Sequence, residues 1–237
     1  GVVGSAIARE LARYDARIAV IEKNPDVVDE TSGRNSGVIH GGFAYDTGSL
    51  KARFCVEGNR MMDSLASELS VPFRRTGKVL VGNTEEDRKS LERTMEQGAA
   101  NGASGLRMID GRELHEIVPA VLGSFALLSS SSGIIDPFLL TIHLAENAAA
   151  NGVRYYLSHK VMSIRKEKDG HIVDTDKGSF RTRWVINSAG FGAKDVSEML
   201  GFSSYRVIGS KGNYLVLDKT MGALLPLPVY PVPSNTY

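Results

Sequence analysis

The chain has 237 residues, 28 Lys and Arg against 27 Asp and Glu, a formal charge of +1, and 42% apolar residues. That composition excludes a disordered tail, and the balanced charge gives no general electrostatic reason to bind nucleic acid or an anionic membrane. No apolar run reaches the roughly eighteen residues a bilayer span needs, and the single cysteine, Cys55, excludes a disulfide framework or a cysteine-based zinc site. A reducing, cytoplasmic setting follows from that cysteine usage. The length suits one large domain or two small ones.

Residue 1 already lies inside a motif, since Gly1-Val2-Val3-Gly4-Ser5-Ala6 lacks the apolar strand that ordinarily feeds a glycine turn. The sequence therefore reads as truncated at its start, and no secretory or anchor segment is visible. Ile7, Ala8 and Leu11 share one face of a helix over 5–14, and the apolar run 17–21 is a strand ending at Glu22. From Asn24 to Gly48 the periodicity gives way to a Gly/Ser/Thr/Asn loop. Leu50, Phe54, Met61, Leu65 and Leu69 then recur at helical spacing, with Met61 and Met62 expected as core filling.

Strands are expected at 71–73 and 78–81. Thr84 with Asp87 reads as a capping box opening a charged helix to about Asn101, and Asp110 with Glu113 repeats that signal. A strand at 124–128 precedes Pro137, a good first-turn residue, and Phe138, Ile142, Ala145 and Ala149 form the next helical stripe. Strands at 153–157 and 161–167 lead to the Asp169-Gly170 hairpin turn, with 172–175 and 180–183 continuing the meander. Trp184 to Asn187 reads as a strand entering a second glycine turn, Ser188-Ala189-Gly190-Phe191-Gly192, with a helix over 193–200 behind it. Pro226, Pro228, Pro231 and Pro233 alternate with apolar residues, which suits an extended edge strand, with a proline-rich ligand as the lesser reading. The chain stops at Tyr237 without a closing element, so the C-terminal end also reads as truncated.

Glycines in a strand-turn-helix unit let the backbone approach a pyrophosphate, whose charge the free amides of the helix start bind. Gly1 and Gly4 would be the second and third glycines of such a turn. Glu22, eighteen residues after Gly4, stands where an acid should hold two ribose hydroxyls. Together they point to a dinucleotide. A nicotinamide domain continues in strand-helix alternation, whereas here a loop, a long helix and an antiparallel insertion intervene, which favours a flavin.

The segment Thr31-Ser32-Gly33-Arg34-Asn35-Ser36-Gly37-Val38-Ile39-His40-Gly41-Gly42 resembles flavoproteins of the D-amino-acid-oxidase superfamily. The resemblance is strongest to the branch containing L-2-hydroxyglutarate dehydrogenase and the large subunit of anaerobic glycerol-3-phosphate dehydrogenase. It continues through Gly48 to Arg53, Val56 to Arg60, Ser132 to Pro137, Asn187 to Gly190 and Lys211 to Tyr214. It implies an α/β fold, with a Rossmann-type FAD-binding sheet and an inserted antiparallel substrate-side sheet. FAD-binding parts are expected at 1–75 and 151–202, and substrate-side parts at 76–150 and 203–237. It also implies that Glu22 and Lys23 serve the AMP ribose, that Gly1, Val2, Val3, Gly4, Ala189 and Gly190 serve the pyrophosphate, and that Val161 meets the adenine. Thr31, Ser32, Arg34, Asn35, Ser36, Gly37 and Val38 are then cofactor residues of the flavin loop.

Oxidising a secondary alcohol needs a group to take the hydroxyl proton, and a histidine suits that task near neutral pH. His40, in the flavin loop, is the candidate catalytic base or flavin hydrogen-bond partner, with loop support as the plainer reading. Arg34, Arg206 and Lys211 are candidate cations for a substrate carboxylate or phosphate, and Tyr45 and Tyr214 are candidate donors. His115, His143, His159 and His171 show no metal-ligand spacing, so no metal is expected. Cys55 reads as a small hydrophobe.

The expected activity is FAD-dependent removal of hydride from a CH-OH carbon of glycerol 3-phosphate or an L-2-hydroxy acid. An amino-acid or amine oxidase of the same superfamily, a cofactor-binding fragment inactive without a further segment, and a nicotinamide-only protein are the alternatives. The expected partners are a small anionic substrate and an electron acceptor or iron-sulfur subunit, with any membrane association peripheral and through that partner.

Overall fold

The computed structural model describes residues 1–232, so Pro233 and Tyr237 of the expected C-terminal segment lie outside the described residues. In chain order the first half runs α1 (Val2–Leu11), β1 (Ala19–Ile21), β2 (Val38–Ile39), α2 (Leu50–Glu68), β3 (Phe73–Arg74), β4 (Lys78–Gly82), α3 (Glu85–Ala100), β5 (Leu106–Asp110) and α4 (Gly111–Ile117). The second half runs β6 (Phe125–Ser129), β7 (Gly133–Ile135), α5 (Pro137–Ala150), β8 (Arg154–Tyr156), β9 (Val161–Glu167), β10 (Gly170–Thr175), β11 (Gly178–Thr182), α6 (Ala193–Glu198) and β12 (Val229–Pro231). Side chains start three of the helices. Ser49 accepts from the Ala52 amide, Thr84 and Asp87 form the expected capping box, and Asp110 accepts from Glu113.

The chain divides into two compact units, Gly1–Asn35 with Pro137–Asn213 and Ser36–Asp136 with Tyr214–Tyr237. The boundaries thus fall near 35, 136 and 213 rather than at the expected 75, 150 and 202. Packing explains the shift. In the second unit α2 seats its small face, Ala52, Val56, Asn59 and Ala66, inward, and Gly42 presses on it. Gly42 has φ +81°, and a Cβ there would lie 2.5 Å from Val56 Cγ2, so only glycine lets the loop approach this closely. In the first unit α5 packs along α1, with Ala8, Ala148 and Val153 as the buried cluster between them and β8.

In the first unit β1 and β8 pair in parallel, and β9, β10 and β11 form an antiparallel meander whose first turn is Lys168-Asp169, one residue before the expected Asp169-Gly170, with Gly170 already paired to Glu167. The strand expected at Trp184 to Asn187 is not formed. Trp184 and Ile186 are exposed, and among the described residues no strand pairs with this stretch. A strand needs a neighbour for its backbone donors and acceptors, and apolar alternation alone does not provide one. The segment 203–218, in the expected substrate-side part 203–237, is likewise exposed and holds neither helix nor strand.

In the second unit the main sheet has the order β12-β4-β6-β5, and β2, β7 and β3 form a smaller antiparallel one. The main sheet is covered on both faces. Val79 and Ala126 meet Ile109, Leu114, Val118 and Leu227 on one side, whereas Leu80, Phe125 and Leu127 meet Phe43 and Leu91 on the other. Strand β12 lies at the edge in parallel to β4, the place where its Pro231 removes no interior ladder bond.

The burial of α2 differs from the expected stripe. Leu50, Phe54 and Met61 are exposed, so Met61 is not core filling. The buried face belongs to smaller residues, among them Asn59. Among the described residues no helix is long and apolar enough to cross a membrane.

Candidate cofactor and proton-transfer sites

The first unit gathers most of the expected cofactor residues around the start of α1. Glu22 follows directly on β1, fixed on both backbone sides: its amide donates to Tyr156 O at 3.0 Å, and its carbonyl accepts from His159 N at 2.8 Å. Its carboxylate accepts from Asn24 N at 3.0 Å through Oε1, and Oε2 lies 3.7 Å from the Gly1 nitrogen. Parallel pairing of β1 with β8 therefore delivers the acid to the glycine turn. The same pairing brings the 157–159 segment, two residues before Val161 and β9, alongside Glu22.

Ser32 Oγ accepts from Val2 N at 2.9 Å, which ties the short 3-10 turn Thr31–Gly33 to the start of α1. The amides of Val3 and Gly4 have no intrahelical carbonyl, because the first turn of a helix never supplies one. A Cβ on Gly1 would lie 3.1 Å from Ser32 Oγ, and one on Gly4 would lie 2.7 Å from Ser188 Oγ. This is a glycine cradle whose rim is Ser32 on one side and the Ser188-Ala189-Gly190 turn on the other. Unpaired amides, a helix N-terminus and an acid at ribose distance in sequence are the parts a dinucleotide pyrophosphate and ribose require, so the residues fit the group.

Neighbouring side chains of the expected set serve the loop itself. Lys23 Nζ pairs with Glu30 Oε1 at 2.6 Å, and that hydrogen bond raises the lysine and lowers the Glu30 carboxyl from their ordinary values. Arg34 Nε donates to Asp29 O at 3.1 Å, and Asn35 Nδ2 donates to Thr31 O and Ser32 O at 3.2 and 2.9 Å. Ser36, Gly37 and Val38 belong to the second unit, where Gly37 O accepts from Ile135 N at 2.9 Å.

The second unit places His40 at the exit of β2, in a loop fastened from beneath. Asn59 Nδ2 donates to His40 O and to Ser131 O, both at 2.9 Å, and Cys55 Sγ donates to His40 O at 3.5 Å. Asn101 Nδ2 donates to Gly42 O and Tyr45 O at 3.0 and 2.7 Å, and Gln97 Nε2 donates to Tyr45 O at 2.6 Å. Replacing Asn59 by alanine removes both carbonyl contacts of one amide and should cost about 2 to 3 kcal/mol of stability. Urea unfolding of the variant checks this, and an unchanged midpoint would contradict it.

The His40 ring faces a residue that the sequence reading passed over. Lys78 Nζ lies 3.3 Å from His40 Nδ1, 4.6 Å from the Phe43 ring centroid and 4.9 Å from that of Tyr230. Lys78 is only 5% exposed, and among the described residues no carboxylate neutralises it. Its inward direction follows from the pleat: on β4 it alternates with Val79 and shares the face of Leu80. A lysine on the inward face of an otherwise apolar strand becomes a signal only once the register of that strand is known.

Burial lowers the Lys78 ammonium to about 8. Burial, followed by the charges of Lys78 and Lys51, lowers His40 to about 4, so its ring is neutral at pH 7. Because the folded-state value of Lys78 lies below its ordinary 10.5, its penalty is full below pH 8 and fades as the pH rises toward 10.5. Lys78→Met should therefore raise stability at pH 7 by about 1 to 2 kcal/mol and abolish the rise in stability between those pH values. Thermal unfolding across that range tests it, and a less stable variant would contradict it.

Of the expected substrate residues, Tyr45 is half-buried in the His40 loop, with Lys51 Nζ 4.4 Å from its ring centroid and its phenol raised by burial. Tyr214 is exposed in the second unit, and Arg206 and Lys211 are exposed in the first.

The family model described as "DAO: FAD dependent oxidoreductase" matches residues 1–237. The chain belongs to this DAO family. Among its DAO relatives, a glycerol 3-phosphate dehydrogenase from Caloramator mitchellensis is 37% identical over 237 residues, covering 99% of this chain and 49% of the relative. An L-2-hydroxyglutarate dehydrogenase from Indibacter alkaliphilus is 34% identical over 241 residues, covering 100% of this chain and 60% of the relative. The dithionite-reduced L-alpha-glycerophosphate oxidase from Mycoplasma pneumoniae with FAD bound superposes with a TM-score of 0.79 at 29% identity, over 84% of this chain and 54% of that one. The chain thus spans about half the length of the curated relatives it matches. For a DAO chain the group that the glycine cradle and Glu22 fit is FAD.

Proposed function

We propose that this chain carries the FAD-binding and proton-accepting parts of a dehydrogenase acting on a CH-OH carbon of a small anionic substrate. The observation that carries the reading is the assembly of Gly1, Gly4, Ser32, Glu22 and the Ser188-Gly190 turn into one glycine cradle. Glu22 holds the ribose hydroxyls with Lys23 beside it. Gly1, Val2, Val3 and Gly4 line the pyrophosphate together with the Ala189-Gly190 turn, and the free amides of Val3 and Gly4 donate to it. The backbone of Val161 meets the adenine. Thr31, Ser32, Arg34, Asn35, Ser36, Gly37 and Val38 are assigned to the cofactor as well. Bound FAD supplies the hydride acceptor.

His40 takes the hydroxyl proton, a role that needs a neutral ring with a bare nitrogen; burial keeps the ring neutral at pH 7. Tyr45, Tyr214, Arg206 and Lys211 are assigned to the substrate, whose anionic end needs donors and cations. Glycerol 3-phosphate and an L-2-hydroxy acid such as 2-hydroxyglutarate are the two substrates supported, through the names of the relatives. An electron acceptor, such as an iron-sulfur partner subunit, completes the cycle. The setting is the cytoplasm or the membrane periphery through that partner, and no nucleic acid takes part.

Product analysis tests the reading. FAD-loaded protein with an artificial electron acceptor should convert one of the two substrates to its ketone. Release of ammonia from amino acids, with both alcohols untouched, would replace the reading by an amine oxidase.

A further inference from the structure

We propose that Lys78 and His40 form a proton-relay dyad, in which the protonation of the lysine selects the tautomer of the imidazole. The inference rests on the reading of His40 as proton acceptor and names the group to which the proton passes. Nζ and Nδ1 are 3.3 Å apart, and they can meet in two ways. An ammonium has three donors and no acceptor, so the Nδ1 facing it must be bare. The neutral ring then keeps its proton on Nε2, where it cannot accept another. A neutral amine has a lone pair, so Nδ1-H donates to it and Nε2 is bare.

The second state is the one that works as a base. The substrate O-H bond breaks and its proton goes to Nε2; bound FAD would supply the acceptor for the carbon's hydrogen and its electron pair, so that the carbonyl forms. The Nδ1 proton passes to Nζ, which becomes the ammonium. The imidazole begins and ends neutral, and no second cation is created on the ring. The site receives the new charge where it is best tolerated: the rings of Phe43 and Tyr230 face Nζ.

Other titratable groups around the pair are Lys51 and Cys55 from α2, Tyr45 from the His40 loop and Tyr230 from β12. Burial raises the Cys55, Tyr45 and Tyr230 groups, so Lys78 titrates before them. Lys78 acts through His40 and is a positioning residue.

The test is the ring ¹⁵N spectrum of His40 in the full chain, assigned by its loss in His40→Asn, followed from about pH 6.5 to about pH 9.5. The dyad predicts the Nε2-H form at the acid end and conversion to the Nδ1-H form with a midpoint of about 8. The step should vanish in Lys78→Met. A single tautomer throughout the wild-type titration, which needs no variant to fold, overturns the proposal, as does a step that survives in Lys78→Met. In the FAD-loaded protein the rate of anaerobic reduction should rise about tenfold per pH unit below that midpoint, and Lys78→Met should flatten the profile. Undiminished reduction in His40→Ala would remove the base reading and the relay with it, whereas a slow His40→Ala without the tautomer step would remove the dyad alone.

Discussion

Replacement of His40 by alanine is expected to slow anaerobic flavin reduction by about 10² to 10⁴-fold, the usual contribution of a positioned general base, while FAD stays bound. The two effects separate because the loop is held through backbone atoms. The Asn59 amide and the Cys55 thiol both donate to the His40 carbonyl, which alanine keeps. Stopped-flow absorbance gives the rate, and the visible spectrum after gel filtration gives the retained flavin. A wild-type rate would remove His40 from the chemistry. Loss of flavin would make its role structural.

Glu22→Ala should weaken FAD binding by about a hundredfold or more, since two hydrogen bonds to a carboxylate contribute about 1.5 to 3 kcal/mol each. The side chain also accepts from Asn24 N at 3.0 Å, so the turn after β1 loses a contact at the same time. Glu22→Gln keeps an acceptor for that amide and separates the two contributions. Fluorescence titration with FAD, alongside circular dichroism to confirm the fold, measures both variants. Unchanged affinity in Glu22→Ala would contradict the ribose assignment.

Much of the architecture was legible because it is encoded locally. Thr84 with Asp87 forms the capping box as read, Asp110 caps α4 through the Glu113 amide alone, and the hairpin forms with its turn one residue earlier, at Lys168-Asp169; each signal acts within a few residues. The helix, strand and acid over 1–22 were legible for the same reason. What escaped depends on partners distant in sequence. Strands β2, β5 and β7 are short and exist through pairing with β7, β6 and the β2 and β3 pair. Trp184 to Asn187 has strand composition but no neighbour among the described residues, so composition alone misled. The α2 stripe failed because the loop seated on that helix leaves room for Ala52, Val56 and Asn59 rather than for Phe54 or Met61.

The candidate sites show the same split. Gly1, Gly4 and Glu22 form a spaced motif and could be read directly. Lys78 could not, because its meaning comes from the face of β4 it occupies and from a histidine 38 positions earlier. A charged residue in an apolar strand is legible as an anomaly only once the register of that strand is known.

The most direct test of the central claim is an anaerobic titration of the FAD-reconstituted chain with L-2-hydroxyglutarate and, separately, with glycerol 3-phosphate, following the visible flavin band. The account predicts a yellow protein whose band is bleached by one of the two. A chain that takes up no FAD would contradict the cofactor assignment, and a flavin band that neither compound bleaches would contradict the proposed reaction.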